Sequence, residues 1–203
     1  MTIEIVSVDS VMLYFEQVIS EEVLDRVQNA YGALKELEGV IDMTPSYSSI
    51  LIQYDLSLYD YRLIQKAITE RLAAHQGTST KKQNKLIKIP TQYDKGLDLK
   101  RVAEFNHITT DEVIELHTQT IYRVYAIGFM VGFAFLASVN NKIATPRLST
   151  PRAKVPKGSV AIADTQTAVY PQDSAGGWNI IGRTEFDAFE QFSIGDSVQF
   201  VRI

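Results

Sequence analysis

The chain has 203 residues, room for one large domain or two small ones, and its 45% hydrophobic and 22% charged content is ordinary globular composition. A formal net charge of −4 argues against a nucleic-acid-binding protein, and the absence of cysteine rules out disulfides and cysteine-ligated metals. The opening MTIEIVSVDS shows neither a basic n-region nor an apolar h-region, and the apolar stretch Tyr125 to Val139 is too short to span a bilayer, so no membrane association and a cytoplasmic location are expected.

In chain order, Ile3–Val6 and Val11–Phe15 read as short strands around an Asp9-Ser10 turn. Ser20 offers an N-cap with Glu21 and Glu22 in the first turn, and Val23, Val27, Ala30, Leu34 and Leu37 recur at helical spacing up to a stop at Gly39. Val40–Thr44 and Ser49–Tyr54 form two more strands, broken at Pro45-Ser46. A second helix buries Tyr61, Ile64, Ile68 and Leu72. The polar run Gln76–Lys85 is the expected linker between a domain over residues 1–80 and another over 86–203.

Leu86–Pro90 opens the second domain as a strand, followed by helices over Leu97–Phe105 and Asp111–Gln119, the latter with a Thr109/Glu112 capping box. From Tyr122 the pattern is β: Tyr122–Ile127, Gly132–Leu136, Ser159–Ala163, Thr167–Tyr170, Trp178–Arg183 and Ser197–Arg202. Many short segments punctuated by Gly and Pro point to a sandwich or closed barrel. The overall class is α+β.

Signatures of common enzymes are missing: there is no P-loop, GxGxxG after a strand, HExxH or GxSxG. The three histidines are scattered, so no metal site is expected, and His117 reads as a half-buried, hydrogen-bonded helix residue. Charge placement is more telling. No Asp or Glu lies between Glu115 and Asp164, an interval holding Arg123, Lys142, Arg147, Arg152, Lys154 and Lys157. Converging cations of this kind attract a carboxylate or phosphate.

Within it, Arg147 and Arg152 each follow a proline, which stiffens the backbone they hang from. Gly176-Gly177 precedes Trp178, the sole tryptophan, and Arg183 follows Gly182. Paired glycines let backbone N–H groups approach an anion. The competing reading is a proline-stapled barrel rim whose arginines pair with surface acids.

The strings TPRxxxPRxxVPxGSVxIA (Thr145 to Ala163), QTxxYP (Gln166 to Pro171), GGWxIIGRT (Gly176 to Thr184) and YRVYxxGFxxGFxxL (Tyr122 to Leu136) resemble one family over nearly the whole chain. PSYSSILIQYD (Pro45 to Asp55) extends the resemblance upstream. This family contains the B-type component of bacterial ATP-dependent 5-oxoprolinase, is often labelled allophanate hydrolase subunit 1, and includes an inhibitor of a sporulation histidine kinase.

The resemblance implies an N-terminal α+β domain followed by a cyclophilin-like β-barrel domain with short helices. It also implies a non-autonomous subunit of a lactam hydrolase, working with A-type and C-type subunits and with ATP bound by the assembled complex. The alternative it implies is a regulatory protein that binds a sensor histidine kinase. Under the hydrolase reading, Arg147, Arg152 and Arg183, with Ser174, Gly176 and Gly177, hold the substrate carboxylate or a phosphoryl group. Tyr170, Trp178, Gln166 and Phe129 wall the pocket, and the general base is unassigned. Departures from the family pattern are Val131 for a proline, Ala137-Ser138 for a glycine pair, and Ala161, Asp164 and Ala168 for glycines.

Overall fold

The computed structural model describes residues 1–75 and 84–203, and the backbone contacts divide the chain into two compact units, Met1–Gln83 and Asn84–Ile203. Of the expected linker, residues 76–83 lie outside the described residues; Asn84 and Lys85 precede the first strand of the second unit.

The first unit is a four-stranded antiparallel sheet with two helices. Its strands are β1 (Thr2–Ser7), β2 (Ser10–Tyr14), β3 (Val40–Pro45) and β4 (Ser49–Tyr54), in the order β1-β2-β4-β3. Period-two alternation sends Val11, Leu13, Ile50 and Ile52 to one face. There they form one core with Val23 and Val27 of α1 (Glu21–Leu34) and Ile64 and Ile68 of α2 (Tyr61–Ala74).

The Ser20 hydroxyl accepts from the Val23 N–H, satisfying one free donor at the start of α1. Asp60 does the same for α2 through Leu63, a cap that apolar spacing does not register. Gly39 does not end α1, which stops at Leu34; the glycine instead takes a left-handed turn, φ +79°, ahead of β3.

The second unit has nine strands: β5 (Leu86–Thr91), β6 (Tyr122–Ile127), β7 (Ala134–Ala137), β8 (Arg152–Val155), β9 (Ser159–Ala163), β10 (Gln166–Val169), β11 (Ser174–Gly176), β12 (Asn179–Arg183) and β13 (Ser197–Arg202). Seven of them form one nearly closed sheet in the order β12-β9-β10-β7-β6-β13-β5. The ends of the sheet meet where Gln92, just after β5, exchanges two backbone hydrogen bonds of 2.8 and 2.9 Å with Arg183. β13 runs parallel to β5, from Ser197 beside Leu86 to Arg202 beside Thr91.

Alternation along β9 builds two cores. Val160 and Ile162 join Val124, Leu136 and Phe200 in the larger one, which also takes Val102 of α3 (Leu99–Phe105) and Val113 of α4 (Thr110–Gln119). Ala161 and Ala163 face the other way, against Phe133, Tyr170 and Trp178. A separate two-stranded sheet pairs β8 with β11. Neither of these strands is legible in the sequence, because each is a few residues long and bounded by prolines or glycines.

The strand expected from Gly132 starts at Ala134. Gly132 is left-handed, φ +80°, with the Phe189 Cβ 2.7 Å from where a Cβ would sit.

Helix α4 carries the capping box in full: the Thr109 hydroxyl accepts from the Glu112 N–H, and the Glu112 carboxylate accepts from the Thr109 N–H at 2.7 Å. His117, expected half-buried, is wholly buried, because α4 lays it against Tyr122 and Phe200. Its Nε2 lies 2.9 Å from the Thr167 hydroxyl, which itself donates to the Ala161 carbonyl. Thr167 therefore accepts, Nε2 carries the proton, and the Tyr93 hydroxyl donates to Nδ1 at 2.7 Å.

Among the described residues, no helix is long and apolar enough to cross a membrane, and no group of three His, Asp or Glu side chains is placed to hold a metal ion.

Candidate functional site

The rim where β12 begins is built around Asp98, the residue preceding α3. Its backbone N–H donates to the Ile180 carbonyl and its Oδ2 accepts the Ile180 N–H, both at 2.7 Å, so Asp98 pairs with β12 as a short extra strand would. Its Oδ1 takes Arg152 Nη2 at 2.7 Å. The Asp98 side chain is 7% exposed and that of Arg152 29%, so this is a largely desolvated ion pair. The other end of the guanidinium, Nη1, is buried with no hydrogen-bond partner. A buried donor without an acceptor is unfavourable by about 1–3 kcal/mol, which makes it the most unusual atom of the rim.

Arg147 lies on the neighbouring Pro146 loop. That loop is tied down by Asn179 Nδ2, which donates to the carbonyls of Pro146 and Ile162 at 3.0 Å. The Arg147 guanidinium stands 5.7 Å from the centre of the Trp178 ring, a cation–π arrangement, and 4.0 Å from the Asp164 carboxylate. Both ionic side chains are mostly exposed, so this pair contributes little. Asp164 is left-handed, φ 52°, which an aspartate tolerates better than most residues. Of the five positions at which family glycines are replaced, this alone has positive φ.

Tyr170 lies behind Trp178 in the smaller core, and Phe133 packs edge-on against both rings. Burial raises the Tyr170 phenol above its ordinary value, against weaker downward pulls from a Trp178 backbone hydrogen bond and the charges of Arg147 and Arg152. Both arginines are therefore felt at one hydroxyl.

The glycine pair has a packing reason. The Tyr170 hydroxyl occupies the place of a Gly176 Cβ, and the Gly177 carbonyl accepts the Leu148 N–H at 2.7 Å. Neither glycine is left-handed, so the pair does not make the alternating backbone of an anion nest. Gly176→Ala should destabilise the second unit by about 1–3 kcal/mol. Adding Tyr170→Phe should recover part of that loss in urea unfolding; a recovery of nothing would mean the hydroxyl is not what excludes the side chain.

The other expected site residues are more dispersed. Ser174, in β11, donates to the Ala175 carbonyl at 3.1 Å. Gln166 opens β10, opposite Ala137 and Ala163. Phe129 is 68% exposed at φ 70°, with its ring edge-on to Phe133, and Val131 beside it is 91% exposed. Arg183 is not with the other two arginines: it ends β12 opposite Ser159, near Asp173, whose carboxyl is held below its usual range chiefly by the Lys154 hydrogen bond and the Lys157 N–H, with the Arg183 charge adding least.

Arg101, on α3, carries no mark in the sequence, yet its guanidinium donates to Asn179 Oδ1 at the start of β12. Only the fold brings it there; no local motif points to it.

Residues 1–196 match the model of the carboxyltransferase domain, subdomain C and D. The chain is 34% identical over 215 aligned positions to the B component of 5-oxoprolinase from Bacillus subtilis (strain 168), covering 96% of this chain and 89% of the relative. It is 41% identical over 128 positions to the corresponding 5-oxoprolinase component of Haemophilus influenzae, covering 59% of this chain and 60% of that one. The crystal structure of TTHA0988 superposes with a TM-score of 0.82 at 30% identity over 97% of this chain. The chain spans 40% of the length of that structure.

Proposed function

Since the chain belongs to the family of the carboxyltransferase domain, subdomain C and D, we propose that it is the B-type subunit of a 5-oxoprolinase. The observation that carries this reading is the near end-to-end similarity to the Bacillus subtilis 5-oxoprolinase component, 34% identical over 96% of the chain. The reaction adds water across the lactam: the ring C–N bond breaks, the carbonyl carbon gains the hydroxyl, and the nitrogen gains the proton, giving glutamate.

In this reading Arg147 and Arg152 hold the substrate carboxylate or a phosphoryl group by charge-assisted hydrogen bonds, with Trp178 and Tyr170 as the wall behind them. Ser174, Gln166 and Phe129 complete the surrounding rim, while Arg183, at the far end of β12, and the packed Gly176-Gly177 pair fall outside the anion grip. The partners are an A-type and a C-type subunit, the complex works in the cytoplasm, and a partner supplies the general base.

Three of the glycines around the barrel are not open to cradle phosphates: Gly176 is filled by Tyr170, Gly158 lies against the Thr184 carbonyl, and Gly182 packs on Thr91. We assign ATP to a partner subunit.

Reconstitution tests the reading. The purified chain with its A-type and C-type partners should release glutamate from 5-oxoproline in the presence of ATP. Arg147→Ala and Arg152→Lys, the latter keeping a charge for Asp98, should each lower that activity about 10- to 100-fold, the worth of one charge-assisted hydrogen bond. Unchanged rates in both variants would remove the anion role.

A further inference from the structure

We propose that Asn179 is a positioning residue for Arg147: its buried side-chain amide, oriented by Arg101, holds the loop from which the Arg147 guanidinium reaches over Trp178. The proposal rests on the reading above that Arg147 binds the substrate carboxylate.

Arg147 needs such a support because its own contacts are weak. Its guanidinium is 5.7 Å from the centre of the Trp178 ring and 4.0 Å from the Asp164 carboxylate, and its side chain is 59% exposed. An exposed cation–π contact and an exposed ion pair are each too weak to hold a long side chain against its rotamer entropy. The place of the guanidinium is therefore set by the backbone it hangs from.

That backbone is anchored on both sides. Before it, Thr145 is wholly buried, exchanges backbone hydrogen bonds of 3.2 and 2.7 Å with Asp164, and accepts from Asn106 Nδ2 at its hydroxyl. After it, the Leu148 N–H donates to the Gly177 carbonyl at 2.7 Å. Between them, the Pro146 carbonyl accepts from Asn179. This carbonyl shares a rigid peptide plane with the Arg147 nitrogen, so its direction sets where the Arg147 side chain leaves the chain.

Asn179 is fitted to the task. It is wholly buried, and both ends of its amide are engaged: Nδ2 donates to the Pro146 and Ile162 carbonyls at 3.0 Å, while Oδ1 accepts from Arg101. Turned over, the amide would set its oxygen against two carbonyls and its nitrogen against a guanidinium, so the three partners fix its orientation. Arg101 thus acts on the loop through Asn179, although it stands on α3. The ring under the guanidinium belongs to Trp178, so neighbouring residues supply the stacking face and the anchor of the loop.

The test reads Trp178 directly. As the only tryptophan, its emission in the folded chain reports the guanidinium over it. Arg147→Gln defines the shift caused by removing that charge. Asn179→Asp keeps the acceptor for Arg101 but loses the donors, and should shift the emission in the same direction by most of that extent. Added to Arg147→Gln, it should shift the emission no further. In the complex reconstituted with its partners, Asn179→Asp should raise KM for 5-oxoproline about 10-fold while kcat stays within about threefold, as a misplaced binding group would. Arg101→Met should give smaller changes of the same kind. Lys100→Met, the same charge change on an 85%-exposed side chain, should give none.

A wild-type emission in Asn179→Asp, or a shift that persists in full beside Arg147→Gln, overturns the positioning role. So does an equal response to Lys100→Met and Arg101→Met. A raised KM in Arg147→Gln with a wild-type KM in Asn179→Asp overturns it while the parent reading stands. A wild-type KM in Arg147→Gln removes the parent reading, and the emission of the single and double variants then decides the positioning role. If Asn179→Asp does not fold, Arg101→Met decides on the same readouts, a shifted emission and raised KM supporting the role and wild-type values overturning it.

Discussion

Replacing Asp98 with alanine is expected to destabilise the second unit by about 3–5 kcal/mol, the usual effect of stripping one partner from a buried ion pair. Two losses combine. Arg152 would keep its charge in a largely desolvated place, and the Ile180 N–H would lose its acceptor at the start of β12. Truncating Arg152 in the same background should recover part of the loss, because the uncompensated charge goes with it. The measurement is a double-mutant cycle by urea unfolding, followed by Trp178 fluorescence. This sole tryptophan sits in the smaller core of the second unit and therefore reports that unit alone. A coupling energy near zero would show that the pair is not a unit.

The second large effect is on pH dependence. Burial pushes His117 down to about 3, and every neighbour found for it is a ring or a hydroxyl. The unfolded histidine titrates near 6.5, so the native state favours the neutral ring. Its contribution is complete above the unfolded value and is lost as pH falls from about 6.5 toward the folded value of about 3.

Within that window each pH unit should remove about 1.4 kcal/mol from unfolding free energy through this one group. His117→Gln has no proton to take up there. The variant should be less stable than wild type at pH 7, and the gap should narrow steadily to pH 4. Parallel stability curves for the two proteins would show that His117 titrates normally in the fold.

How much of the fold is legible in advance depends on where each signal is stored. Helices α1, α2 and α4 announce themselves through apolar spacing and caps, since those are local properties of a few turns. Strands β6, β9 and β13 have the expected bounds because their apolar runs end at turn residues. The strands β8 and β11 escape, being too short for any periodicity to show.

The site follows the same rule. Arg147, Arg152 and Trp178 stand in one dense segment and can be grouped on sight. Yet the partner that fixes Arg152 is Asp98, 54 positions earlier, and Arg101 reaches Asn179 across 78 positions. Arg183 shares the segment but not the place, because β12 carries it to the opposite end of that strand. The glycine pair does stand out in the sequence, but its reason is the Tyr170 hydroxyl rather than a ligand.

The parallel pairing of β13 with β5 has a consequence for how the second unit comes into being. Lys85 and Asp196 are bonded across 111 positions, and the strand that follows each completes the sheet. Such a high contact order makes closure slow compared with forming α3 and α4. On a ribosome β5 would emerge early and wait, its apolar inner face unpaired, until Ser197–Arg202 had been synthesised. During that interval it is an open strand edge of the kind that invites aggregation, so the last strand acts as a keystone whose late arrival sets when the barrel exists at all.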